Sequence, residues 1–197
     1  MKSHSNTFVT VTAAIVVVLM GIAILKSTPI LPLEFNDWVP TFVAYSPPDD
    51  TQRAAMELDL FETILRSEFA SPFKADERSC FVQLGYDDQG RYIDPPASFL
   101  RRFDDLELEV HPVSEARFPR MGEWETQNTL RGIESRITGK RTNVYRVQIE
   151  EWIDSETVKV SHSFSSGPLS GGGVSGAVYH FNGRRWSLRE RGSGWVG

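Results

Sequence analysis

Val174 to Arg191 reads VSGAVYHFNGRRWSLRER, two runs of alternating character separated by Asn182-Gly183. Asn-Gly is a strong short-range hairpin signal, because both central residues of a tight turn must take positive φ, which Gly adopts freely and Asn tolerates. A two-residue turn pairs Phe181 with Arg184, Tyr179 with Trp186 and Ala177 with Leu188. The period of two then sets Tyr179, Phe181, Trp186 and Leu188 on a core face and His180, Arg185 and Arg189 on the other.

Upstream of the hairpin the same alternation recurs. Asn143–Ile153 and Val158–Phe164 are strand-like, with Tyr145, Val147 and Ile149 sharing one face and Val158, Val160, His162 and Phe164 another. With Val174–Phe181 and Arg184–Arg191 they make an antiparallel meander. Ser170-Gly171-Gly172-Gly173 lacks the Gly-Lys-Ser/Thr ending and the following helix of a phosphate loop, so it is expected to be a flexible loop between strands. Ahead of the meander, Cys80–Leu84 reads as a short strand. Leu106, Leu108 and Val110 alternate towards a break at Pro112.

Helix signals precede the sheet. Asp50 and Thr51 offer caps, and Met56, Leu60, Phe61, Ile64 and Leu65 recur as one apolar stripe, so a helix is expected over Thr51–Phe69. Asp94-Pro95-Pro96 reads as a cap and first turn for a short helix ending near Phe103.

The N-terminal segment is of another kind. Phe8 to Leu25 runs for 18 residues without a charge, between Lys2 and Lys26. At 1.5 Å per residue such a helix spans about 27 Å, close to the hydrocarbon thickness of a bilayer. A cleaved signal peptide is the rival reading, with Gly21-Ile22-Ala23 as a weak cleavage site. The flanking lysines balance, but a short N-terminal flank before a large C-terminal body is the usual layout of a signal-anchor with the body exported. Residues 27–50 then carry Pro29, Pro32, Pro40, Pro47 and Pro48, which suit a tether. Within it, Phe35, Trp38, Phe42 and Tyr45 suit either packing on the domain or the bilayer interface.

The resulting expectation is an α+β protein: an N-terminal transmembrane helix, then one helix plus a short helix packed on a curled antiparallel sheet ending in a β-meander. Its parts are an anchor over 1–26, a Pro-rich linker over 27–50 and an extracytoplasmic domain over 51–197. Val113-Ser114-Glu115, Thr138-Gly139-Lys140-Arg141, Gly167-Pro168-Leu169-Ser170, Tyr179 followed by Gly183 and Trp186, and Trp195-Val196 together resemble uncharacterised bacterial envelope proteins. In outline these are similar to cystatin-like or NTF2-like folds. The resemblance implies a membrane-anchored α+β domain and brings no catalytic set with it.

Composition narrows function. With 21 basic and 26 acidic residues the net charge is −5, which argues against nucleic acid as a partner. The single Cys80 allows no intramolecular disulfide, and its apolar flanks mark it as core. His111, His162 and His180 show no metal-ligand spacing, so neither a metal nor another cofactor is expected. Basic residues cluster at Arg131, Arg136, Lys140, Arg141 and Arg146 and again at Arg184, Arg185, Arg189 and Arg191. Solvated faces explain such runs; if the groups share a side of the sheet they suit lipid headgroups, an anionic cell-wall or envelope polymer or an acidic protein partner. The expected function is therefore partner or ligand binding without catalysis, through Arg141, Arg146, His180, Arg185 and Arg189, at the cell membrane. The alternative is an NTF2-like pocket, binding or enzymatic, with acid-base groups among Asp94, Glu115, His111, His162 and His180.

Overall fold

Asp50 begins the first helix as expected. Its carboxylate accepts from the backbone N–H of Gln52 and Arg53, at 2.9 and 3.2 Å, and helix α1 then runs over Thr51–Phe69. These bonds satisfy two of the N–H groups that a helix start leaves without partners. The apolar stripe is buried through Leu60, Phe61, Ile64, Leu65 and Phe69. Each such side chain contributes about 1.5–3 kcal/mol on leaving water. The computed structural model describes residues 40–48, 50–70, 79–119, 132–167 and 170–196. The expected transmembrane segment 8–25 and the larger part of the tether lie outside them, as do Phe35 and Trp38. Among the described residues no helix is long and apolar enough to cross a membrane.

Strand β1 (Phe42–Ala44) pairs in parallel with β3 (Tyr92–Asp94), and Tyr45 N–H donates to the Asp94 carbonyl at 2.9 Å. Of the aromatic residues in the tether, Phe42 and Tyr45 thus pack on the domain. Among the described residues the main sheet has seven strands, and β5 (Ala116–Arg117) and β6 (Glu134–Ser135) form a separate antiparallel pair. β2 (Ser79–Gln83) lies between β4 (Glu109–Pro112) and β7 (Asn143–Trp152) and is parallel to both. From β7 the sheet continues antiparallel through β8 (Thr157–Gly167) and β9 (Ser170–Phe181). β10 (Trp186–Glu190) and β11 (Ser193–Val196) then share the far edge of β9. The expected antiparallel sheet is therefore mixed. The meander is antiparallel, but the centre is parallel, because β2 is reached from remote parts of the chain and needs no hairpin.

Helix α1 covers one face of this sheet, where Cys80, Val82, Tyr145, Val147, Val158, Val160, Ala177, Tyr179 and Trp186 are buried. A second cluster of Phe81, Tyr92, Val113, Ala116, Ile133 and Val144 covers the other face at β2 and β7. Burial on both sides explains why β2 reads as an unbroken apolar run. Among the described residues, that second cluster has no member on β8, β9 or β11.

A short helix and its continuation sit beside α1. α2 (Ala97–Leu100) follows Pro96 and passes into a 3₁₀ turn, Arg101–Phe103. Asp94 does not cap it, as the sequence suggested; it ends β3 and accepts from Ser114 N–H at 2.9 Å. The turn is clamped to α1 by charges. Arg66 makes a bidentate pair with Asp105, both contacts at 3.0 Å, and Arg102 reaches Asp59 at 2.6 Å and Glu62 at 3.1 Å. Leu106 and Leu108 lie ahead of β4, so that strand is shorter than its alternation predicts.

Two further expectations are corrected. The hairpin at Asn182-Gly183 is present with Gly183 at φ +84°, but Trp186 pairs with Phe181 and Leu188 with Tyr179. The Asn182 side-chain oxygen accepts from the N–H of both Arg184 and Arg185, at 3.1 and 3.0 Å, which draws four residues into the turn. The slip is two residues, so the faces are kept. Gly171, Gly172 and Gly173 belong to β9 rather than to a loop. A Cβ on Gly173 would lie 2.6 Å from the His162 carbonyl oxygen, so the close strand approach excludes a side chain.

A pair of bulges bends the sheet. β7 shifts register between Ile149 and Glu151, and β9 carries two residues, Ser175 and Gly176, opposite Ser161 of β8. Glu150, the displaced residue, accepts from Ser175 Oγ at 2.8 Å and Gly176 N–H at 3.2 Å, tying one bulge to the other.

Candidate functional site

Period two along β7 puts Val144 and Arg146 on the face away from α1. The register continues this position across the sheet: Gln83 of β2 stands beside Arg146, Ser163 of β8 beyond it, then Gly173 of β9 and Trp195 of β11. A groove of about 340 Å³ lies along this row where the second core cluster ends. Arg146, Ser163 and Trp195 line it from the main sheet, and Tyr86, Tyr92 at the start of β3 and Phe118 line it from the other side.

The aromatic wall is a connected set. The rings of Tyr86 and Tyr92 are 5.1 Å apart at 60°, and Tyr92 is 5.3 Å from Phe118. Against it rests Arg146, whose guanidinium lies 5.2 Å from the Tyr86 ring centre and donates through Nη1 to the Tyr86 hydroxyl at 2.7 Å. Burial pushes the Tyr92 phenol well up, aided by Tyr86 and opposed by Arg146. It therefore serves the groove as a neutral phenol. Trp195 stands at the opposite rim, 49% exposed. Arg146 is the one charged residue among those described in the lining, and no carboxylate among the described residues is within ion-pair distance of it.

The other expected binding residues lie elsewhere. Arg141 is exposed just before β7, opposite Glu134 in an isolated bridge. His180 is near the far end of β9, its Nδ1 3.2 Å from Thr157 Oγ1. Thr157 and Ser163 are six residues apart on β8, so His180 and Arg146 are separated by about 20 Å along the strand direction. Arg185 is exposed in the hairpin turn, and Arg189 is exposed where β10 shifts register. Arg131 lies outside the described residues. The five expected residues thus do not form one cluster, and Arg146 alone of them is among the described lining of the groove.

The acid-base set of the alternative reading divides into three places. His111 Nδ1 is 3.1 Å from Glu115 Oε2, near Asp94 through the Ser114 contact. His162 faces α1, its Nδ1 2.9 Å from Glu68 Oε1 but outside hydrogen-bonding geometry. The neighbouring Tyr179 hydroxyl is pushed up by burial and then by the Glu68 charge. His180 is at the far end. Among the described residues no group of three His, Cys, Asp or Glu side chains is placed to hold a metal ion.

Sequence reading missed Tyr86, Tyr92, Phe118 and Trp195, which come from three separate parts of the chain, Tyr86 and Tyr92 facing each other across one turn. The one available signal was Arg146 itself, a cation next to Val144 on a strand whose other face is core. No family model, no curated protein and no solved structure matches this chain.

Proposed function

We propose that this chain is a single-pass membrane protein, anchored in the cell membrane through residues 8–25, whose exported α+β body binds a protein or ligand partner without catalysis. The observation that carries the binding reading is the groove, in which a cation without a carboxylate partner among the described residues is seated against aromatic rings. Few polar groups in an otherwise aromatic concavity are the usual make-up of a recognition site. The anchor reading is supported by the uncharged run Phe8 to Leu25 and its flanking lysines.

The test places a photo-crosslinking benzoylphenylalanine at position 195 or position 188 of the full chain in intact membranes. Trp195 is at the groove, whereas Leu188, equally exposed at 48%, lies on the α1 side of the sheet. A specific adduct formed from position 195 and not from 188 is expected. No adduct at 195, or the same adducts from both positions, overturns the proposal.

A further inference from the structure

Resting on that binding reading, we propose that the groove takes an acidic saccharide, one or two sugar rings carrying a carboxylate that pairs with Arg146 while a ring face stacks on Trp195. Three observations carry the choice of ligand. The first is charge: Arg146 is the sole charged group described in the lining and spends one donor on the Tyr86 hydroxyl, leaving the rest of a planar guanidinium for a carboxylate.

The second is the floor. Ser163 and Ser165 line the groove, and the Ser165 hydroxyl donates to the Gly167 carbonyl at 3.0 Å, which leaves its oxygen as an acceptor. Opposite Ser163 stands Gly173, where a Cβ would meet Ser163 Cβ at 2.7 Å, so the floor beside Trp195 stays bare. A flat aromatic rim over hydroxyls fits a ring with one apolar face and a polar edge better than a purely apolar ligand.

The third is backbone. An acidic peptide would need unpaired main-chain groups for strand addition. The floor strands β7, β8 and β9 are instead hydrogen-bonded on both sides. At about 340 Å³ the groove is at the small end of ligand sites, which holds one or two rings rather than a long oligomer.

The experiment is calorimetric titration of the full 197-residue chain, in detergent micelles, with tetragalacturonate. Its carboxyl-reduced neutral counterpart and hexaglutamate serve as comparison ligands. Saturable binding of tetragalacturonate is expected, weakened at least tenfold in Arg146→Gln and separately in Trp195→Ala. Arg101→Gln removes an equal charge from an exposed turn and leaves binding unchanged. Trp195 is a surface residue, so Trp195→Ala keeps the test informative should Arg146→Gln fail to fold. Equal binding of the neutral sugar, tighter binding of hexaglutamate, or no binding of tetragalacturonate overturns the saccharide assignment. If the position-195 adduct still forms in that event, only the ligand class has failed; if it too is absent, the binding reading falls with it.

Discussion

Replacing Trp186 separates the register found here from the one the hairpin sequence suggests. The indole is 5% exposed, lies 5.3 Å from the Phe181 ring and 6.1 Å from Trp152, and donates Nε1–H to the Met56 carbonyl of α1 at 3.0 Å. In Trp186→Phe the side chain–helix hydrogen bond is lost, at about 1 kcal/mol net, while the Met56 carbonyl keeps its place in the helical ladder. The smaller ring loses about 1 kcal/mol more in buried surface. With an m-value of about 2 kcal/mol/M in urea, a loss of about 2 kcal/mol lowers the unfolding midpoint by about 1 M. Trp186→Ala removes the whole ring, costs about 3–5 kcal/mol and lowers it by about 2 M. Leu188→Ala, two residues along the same face but half exposed, shifts it by less than about 0.5 M. Midpoints from far-UV circular dichroism on the full chain decide the matter. A Trp186→Phe midpoint equal to wild type, with the loss appearing in Leu188→Ala, would refute the register.

Three other outcomes follow from the same geometry. Gly173→Ala forces a Cβ against the His162 carbonyl and costs about 1–3 kcal/mol, whereas Gly139→Ala meets no atom and costs only the strain of its φ of +67°; thermal melts of both rank them. The Arg66 hydrogen bond holds the Asp105 carboxyl below the usual range, and the Glu156 amide does the same for Asp154. The stability these give is complete above pH about 4 and is lost as pH falls through their lowered values, so melts between pH 5 and pH 2 should show a decline that Asp105→Asn reduces. Burial raises Glu57, against the opposing Tyr45 and Arg53, so its charged form costs stability as pH rises through the raised value. Glu57→Gln should therefore stabilise the protein at pH 7 and leave pH 3 unchanged, and a reversed pattern would reject the assignment.

Local signals in the sequence carried far and pairing partners did not. Thr51–Phe69 was legible because a cap and an apolar stripe agree at the helical period. The hairpin was legible in place but not in register, since the length of its turn depends on where the Asn182 oxygen finds donors. The parallel seat of β2 was hidden: nothing in Cys80-Phe81-Val82 says that its neighbours are Val110 and Val144, although an unbroken apolar run is what burial on two faces produces. For the site, Arg146 was visible as a charge, and the residues grouped with it lie outside the described lining of the groove. Charges on one face of neighbouring strands still stand apart when they lie at opposite ends, as Arg146 and His180 do, about 20 Å from each other along β8. The aromatic wall had no signature, because each member alone reads as core.

The seat of β2 also sets an order of events when the chain is made. Thr142 Oγ1 donates to the Ser79 carbonyl across 63 residues of sequence, and β2 has strands on both sides only when β7 has arrived. The meander from β7 to β11 closes through near neighbours and can form quickly once synthesised. The earlier half cannot. Helix α1 and β2 emerge first and keep their apolar faces uncovered until the last third of the polypeptide is available, so folding is paced by the arrival of the C-terminal end. A truncation that ends before β7 would remove the surface on which α1 settles, and would expose two unfinished faces of one strand to whatever else the compartment holds.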